Sequence, residues 1–140
     1  MADRAAQSIR VPQVAGLQHG EARPFTFDDG EHEGRGFVMM LRYDQGQDGA
    51  GAEGDRGAAQ LVAYRNRCAH VAFDLDMGTG QFWSSKLGRI YCRTHGACYE
   101  PRSGVCDRGP CVGRSLEAFV VEPQGDDAIV RIPAEPPGAV

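Results

Sequence analysis

Apolar residues in this chain come in short runs, never in long stretches. Candidate strands cover residues 9–11, 24–28, 36–43, 60–65, 89–92, 118–122 and 128–132. They are rich in Val, Ile, Phe and Tyr and bounded by Gly, Asp and Pro, which is the composition of strands separated by turns. Pro123-Gln124-Gly125-Asp126-Asp127 predicts a tight hairpin between the last two. No stretch carries a helical period with caps, and residues 113–118 have room for a single helical turn at most. The prediction is an all-β domain of small antiparallel sheets.

One segment breaks the pattern. Residues 44–59 consist mainly of Gly, Ala, Asp and Gln and hold no aromatic or β-branched residue. Such a composition builds no core, so a flexible loop between two strands is expected. It also lacks the Gly-Lys-Ser/Thr ending of a phosphate-cradling loop, which removes nucleotide binding there. Residues 133–140 read as a frayed tail.

At 140 residues the chain is one domain with a sizeable core. A net charge of -4 argues against nucleic-acid binding. No apolar run reaches the length of a membrane span, and the Met1-Ala2-Asp3-Arg4 start lacks a signal-peptide pattern. The expectation is a soluble, cytoplasmic protein. Charge is uneven, however. Residues 61–116 hold eight Lys/Arg against four acids, while the remainder holds seven against fifteen. A basic central region can steer an acidic partner, or it can be a set of solvated arginines with no partner.

The candidate chemistry lies in that basic region. Cys68-Ala69-His70 and Cys92-Arg93-Thr94-His95 each place one thiol and one imidazole within a few residues. Two such pairs supply four ligands, suited to a tetrahedral zinc or to an iron–sulfur cluster with two histidines on one iron. The paired cysteines of a classical zinc finger precede histidines on a helix, and no such helix is predicted here. A Cys–His nucleophile lacks a third orienting residue or an oxyanion loop. The five cysteines, an odd number with two in ligand-like pairs, read as a metal site in a reducing compartment and not as a disulfide framework. Cys98, Cys106 and Cys111 read as buried thiols, with a Cys106–Cys111 bridge as the alternative.

These residues resemble the Rieske-type [2Fe–2S] domain. The resemblance runs through Cys68-Ala69-His70, Cys92-Arg93-Thr94-His95-Gly96-Ala97-Cys98-Tyr99, Ser103-Gly104-Val105-Cys106 and Gly109-Pro110. It covers about residues 61–116, implying a cluster-binding subdomain of two loops inserted in a small antiparallel sandwich that spans the whole chain. It implies Cys68 and Cys92 on a buried iron, and His70 and His95 on an iron near solvent. It further implies that Gly96 allows close backbone approach, that Tyr99 aims its hydroxyl at a ligand sulfur, and that Pro110 lies in a loop covering the cluster. Neutral imidazoles in place of thiolates raise the potential to roughly -150 to +300 mV, against about -400 mV for plant-type ferredoxins. Because reduction raises the pKa of the ligand histidines, the potential should fall at high pH.

Departures from the family pattern refine this expectation. Quinol-oxidising Rieske proteins carry a disulfide between their ligand loops, at places resembling Phe73 and Thr94 here. They also carry a serine where this chain has Ala97. The chain is thus more similar to soluble Rieske ferredoxins of low to intermediate potential. The expected role is that of a one-electron carrier without catalysis of its own. By resemblance, the donor would be a flavin-containing NAD(P)H reductase and the acceptor a terminal oxygenase or another oxidoreductase. Oxygenase subunits carry a separate iron held by two histidines and a carboxylate. Only His19 and His32 remain for such a site, and both read as surface or turn residues. The 21 residues between His70 and Cys92 are more than usual, with Phe82 and Trp83 either filling the core or forming a docking surface.

Overall fold

The computed structural model describes residues 7–28, 33–42, 59–68, 74–93 and 96–133. Among the described residues there are ten strands and no helix: β1 (Gln7–Val11), β2 (Ala22–Asp28), β3 (Glu33–Arg42), β4 (Ala59–Arg65), β5 (Trp83–Ser84), β6 (Arg89–Tyr91), β7 (Cys98–Tyr99), β8 (Cys106–Arg108), β9 (Ala118–Gln124) and β10 (Asp127–Ile132). All seven sequence-predicted strands are present with shifted ends. The 44–59 loop and the tail beyond Pro133 lie outside the described residues, except for Ala59. In the 113–118 region, Ser115 makes a β-bridge to Val105 in place of a helical turn.

Six strands form one antiparallel sheet in the order β1-β10-β9-β4-β3-β2, and β5-β6-β7-β8 form a second. The first sheet curls toward closure. The Gln7 side chain donates to the Asp28 carbonyl at 2.6 Å and accepts from its N–H at 3.0 Å. The edge strands β1 and β2 are thus joined without a backbone ladder. The predicted hairpin is present, with Gln124 paired to Asp127 across Gly125-Asp126.

β3 is buried on both faces, and it explains how two cores share one sheet. Phe37, Met39 and Leu41 point into the core shared with β6 and β7, whereas Val38 and Met40 face the interior of the curled sheet. Period-two alternation with apolar residues on both faces is what a strand packed between two layers needs. Phe25 and Phe27 on β2 lie opposite Gly36 and Gly34 of β3. A Cβ at Gly36 would meet the Phe25 ring at 2.5 Å, so the glycine leaves room for the aromatic ring to cross the ladder.

The second core holds the answer to the Phe82–Trp83 question. Phe82 is 1 % exposed and stacks on Phe37 at 4.0 Å between centroids. Core filling therefore accounts for Phe82. Trp83 is half-buried, edge-on to the His19 ring at 5.0 Å. His19 accordingly does more than decorate a turn: its Nδ1 accepts the Arg42 N–H at 2.9 Å, and burial lowers its pKa. Neutral imidazole is the form that accepts this bond.

Candidate metal centre

Both candidate sulfur ligands sit just past the end of a strand. Cys68 follows β4 by three residues and Cys92 directly follows β6. They are 3 % and 0 % exposed and belong to one buried cluster with Tyr99, Cys106 and Cys111. His70 and His95 lie outside the described residues, as do Phe73, Thr94 and His32. Among the described residues, no three His, Cys, Asp or Glu side chains gather as a metal cage.

The loop after Cys92 is closed by its own backbone. The Gly96 N–H donates to the Cys92 carbonyl at 3.0 Å, and the Cys92 N–H donates to the Ala97 carbonyl at 2.8 Å. Gly96, at φ 78, supplies the left-handed residue that lets so short a loop return into β7. The Arg93 N–H donates to the Leu75 carbonyl at 2.9 Å, tying this loop to the chain that returns from the Cys68 side.

That return is held by a buried polar pair with no signature in the sequence. Asn66 and Asp76 are the buried polar or charged residues among those described. The Asn66 amide donates to Asp76 Oδ1 at 3.0 Å, while its carbonyl oxygen accepts the Leu75 N–H at 2.7 Å. Asp76 also accepts the N–H groups of Gly78 at 3.1 Å and Gly80 at 2.9 Å. Burial pushes its carboxyl pKa up. The bonds from Asn66, Gly80 and Gly78 outweigh that, leaving it below the usual carboxylate value. Asn66 is therefore joined directly to Leu75 and Asp76.

A chain of sulfur and hydroxyl groups runs inward from Cys68. Tyr99, itself 0 % exposed, sets its hydroxyl 3.2 Å from Cys68 Sγ and 3.3 Å from Cys111 Sγ. Cys111 Sγ lies 3.2 Å from Cys106 Sγ, and the Cys106 thiol donates to the Arg108 carbonyl at 3.3 Å. Burial pushes the Cys111 thiol up to about 11. Burial also raises Cys98, partly offset by Arg108; its sulfur turns instead to the Gly96 carbonyl at 3.5 Å. The family resemblance implied a Tyr99 hydroxyl aimed at a ligand sulfur, but the Cys111 contact was not readable from the sequence.

The third loop presses against the second. Gly109 has φ 108, and a Cβ there would lie 2.8 Å from the Ala97 Cα, so only glycine lets the backbones approach this closely. Pro110 follows it on the exposed outer side. Two buried soft sulfurs in one core, with a hydroxyl beside one of them, fit an iron–sulfur cluster.

A family model described as Rieske [2Fe-2S] domain matches residues 8–124. The chain belongs to the Rieske [2Fe–2S] domain family. The family's cofactor is a [2Fe–2S] cluster, and the all-β antiparallel fold agrees with it. Among solved structures, the ferredoxin of carbazole 1,9a-dioxygenase from Nocardioides aromaticivorans IC177 is similar at 27% identity and TM-score 0.53. The match covers 88% of this chain and 95% of that one. A complex of reduced oxygenase and oxidized ferredoxin in carbazole 1,9a-dioxygenase contains a chain of the same fold, with 22% identity, TM-score 0.58 and 88% and 91% coverage. The plasma membrane Rieske protein PetC3 from Synechocystis PCC 6803 also shares the fold, with 19% identity, TM-score 0.59 and 89% and 99% coverage. No curated protein matched this sequence. Among the described residues, no helix of this Rieske protein is long and apolar enough to cross a membrane.

Proposed function

We propose that this Rieske protein is a ferredoxin-like one-electron carrier, with the cluster held by Cys68 and Cys92 on one iron and His70 and His95 on the other. The observation that carries the reading is the pair of buried thiols, one beside the Tyr99 hydroxyl, within a chain matched by the Rieske model. Residues 61–116 act as the cluster-binding unit within a single domain of 140 residues. When bound, the cluster supplies a reversible one-electron redox couple. The chain does the rest: buried cysteines exclude water from the sulfurs, and Tyr99 donates to Cys68, favouring the more negative reduced state.

The electron donor is a flavin-containing reductase and the acceptor a terminal oxygenase or another oxidoreductase. The likeness to a dioxygenase ferredoxin supports the oxygenase reading. The protein works in the cytoplasm, without catalysis of its own. Arg67 and Arg93, each next to a proposed sulfur ligand, are exposed and suit an acidic docking face on the partner. Replacing Arg93 by Glu should slow transfer to the partner several-fold, and the difference should shrink at high salt. Stopped-flow reduction at two ionic strengths reads this out, and equal rates would remove Arg93 from the docking face.

Replacing Tyr99 by Phe removes one hydrogen bond to sulfur. A hydrogen bond contributes about 1 kcal/mol, which in a one-electron couple is roughly 40 mV. The potential should drop by that amount with the fold retained, measured by protein-film voltammetry. The function itself is tested by anaerobic purification with iron and sulfide analysis, then EPR after dithionite reduction. Two irons and two sulfides per chain, with an average g below that of all-cysteine clusters, establish the Rieske centre on which the carrier reading rests. A colourless protein holding one zinc overturns it.

A further inference from the structure

We propose that Cys106 and Cys111 form a second redox site, a buried dithiol that closes to a disulfide and thereby resets the hydrogen bond between Tyr99 and Cys68. The two sulfurs are already in contact at 3.2 Å. Backbone bonds fix both residues. The Cys106 N–H donates to the Arg114 carbonyl at 2.7 Å, the Gly113 N–H to the Cys106 carbonyl at 3.0 Å, and the Arg114 N–H to the Cys111 carbonyl at 2.9 Å. Reaching a bonded separation of about 2.05 Å takes side-chain rotation inside a frame that is already closed.

The oxidant is a low-molecular-weight organic disulfide, RSSR. In the opened loop Cys111 loses the burial that disfavours its thiolate, and that thiolate attacks one of the RSSR sulfurs and expels the first RS⁻. The Cys106 thiolate then displaces the second. Two thiols and RSSR become one protein disulfide and two RSH: the protein sulfurs lose two electrons, and the two thiol protons leave with the released thiols. Both cysteines are buried, but Val112 beside Cys111 is 63 % exposed, so opening of this loop admits the reagent.

The link to the cluster passes through Tyr99. In the dithiol, the Cys106 proton goes to the Arg108 carbonyl and the Cys111 proton goes to Cys106. With that proton directed at Cys106, the Tyr99 hydroxyl faces the sulfurs of both Cys68 and Cys111. Closing the disulfide draws Cys111 Sγ toward Cys106 and makes it a poorer acceptor, which strengthens the Tyr99 contact to Cys68. The cluster potential rises. This consequence rests on the electron-carrier reading, while the disulfide itself does not.

The test equilibrates the purified cluster-loaded protein anaerobically in glutathione buffers of increasing oxidation, then alkylates, digests with trypsin and weighs the fragments. Cys106 and Cys111 fall on adjoining fragments, Ser103–Arg108 and Gly109–Arg114. The expected result is a linked pair, lighter by two hydrogens than the two free fragments and separated by dithiothreitol. The potential of the same sample should move positive, and C111S should show neither change. Two separately alkylated fragments in the most oxidising buffer, or a link to the Cys98 fragment, overturn the site. A link with an unmoved potential overturns the coupling to Tyr99. A link in a protein that takes up no iron leaves the dithiol standing and removes the electron carrier.

Discussion

Cys92→Ser should yield a protein with more than about tenfold less bound iron and sulfide than the wild type, because a hard, neutral hydroxyl replaces the soft thiolate of the proposed ligand. Cys98→Ser should retain both. The comparison is informative because burial does not separate the two residues: Cys92 is 0 % and Cys98 1 % exposed. What separates them is position. Cys92 heads a loop closed by the Gly96 and Ala97 backbone bonds, whereas the Cys98 sulfur turns to the Gly96 carbonyl. Iron and sulfide content with visible absorbance measures both variants. Full cluster content in Cys92→Ser, or its loss in Cys98→Ser, would sink the ligand assignment.

Asp76→Ala should destabilise the cluster-loaded protein by about 2 kcal/mol. The substitution leaves the buried Asn66 amide without its acceptor, and a buried unsatisfied donor costs about 1–3 kcal/mol, whereas Gly78 and Gly80 are exposed and their N–H groups turn to water. The pH dependence has a definite sign. The folded carboxyl titrates below its ordinary value, so its contribution is present above about pH 4 and is lost as pH falls through the lower folded value. The gap between wild type and Asp76→Ala in urea unfolding should therefore be widest near neutrality and narrow below pH 4. A gap that is constant with pH would show that Asp76 acts through packing alone.

The strand segments and the cysteine pairs were legible in the sequence for different reasons. β2, β3, β4, β9 and β10 are long enough to carry their own apolar signal. β5, β7 and β8 have two or three residues each, too few for any period to register. Such strands exist because neighbours pair with them: Tyr99 with Ile90 on one side and with Cys106 on the other. Phe82 and Trp83 were ambiguous because composition does not say whether a ring faces in or out. Stacking on Phe37 decides it for Phe82.

By itself, the sequence determined the all-β class and the two Cys/His pairs that carry the family resemblance. Alternating apolar residues and ligand spacing are local properties, written within a few residues of each other. Only the tertiary structure decided that Asn66 bonds Asp76, that Gly109 packs on Ala97, and that the Tyr99 hydroxyl stands between Cys68 and Cys111. These contacts join residues from different strands and loops, and a hydrogen bond of about 3 Å depends on where the folded backbone sets its two ends. Spacing along the chain carries no record of that distance.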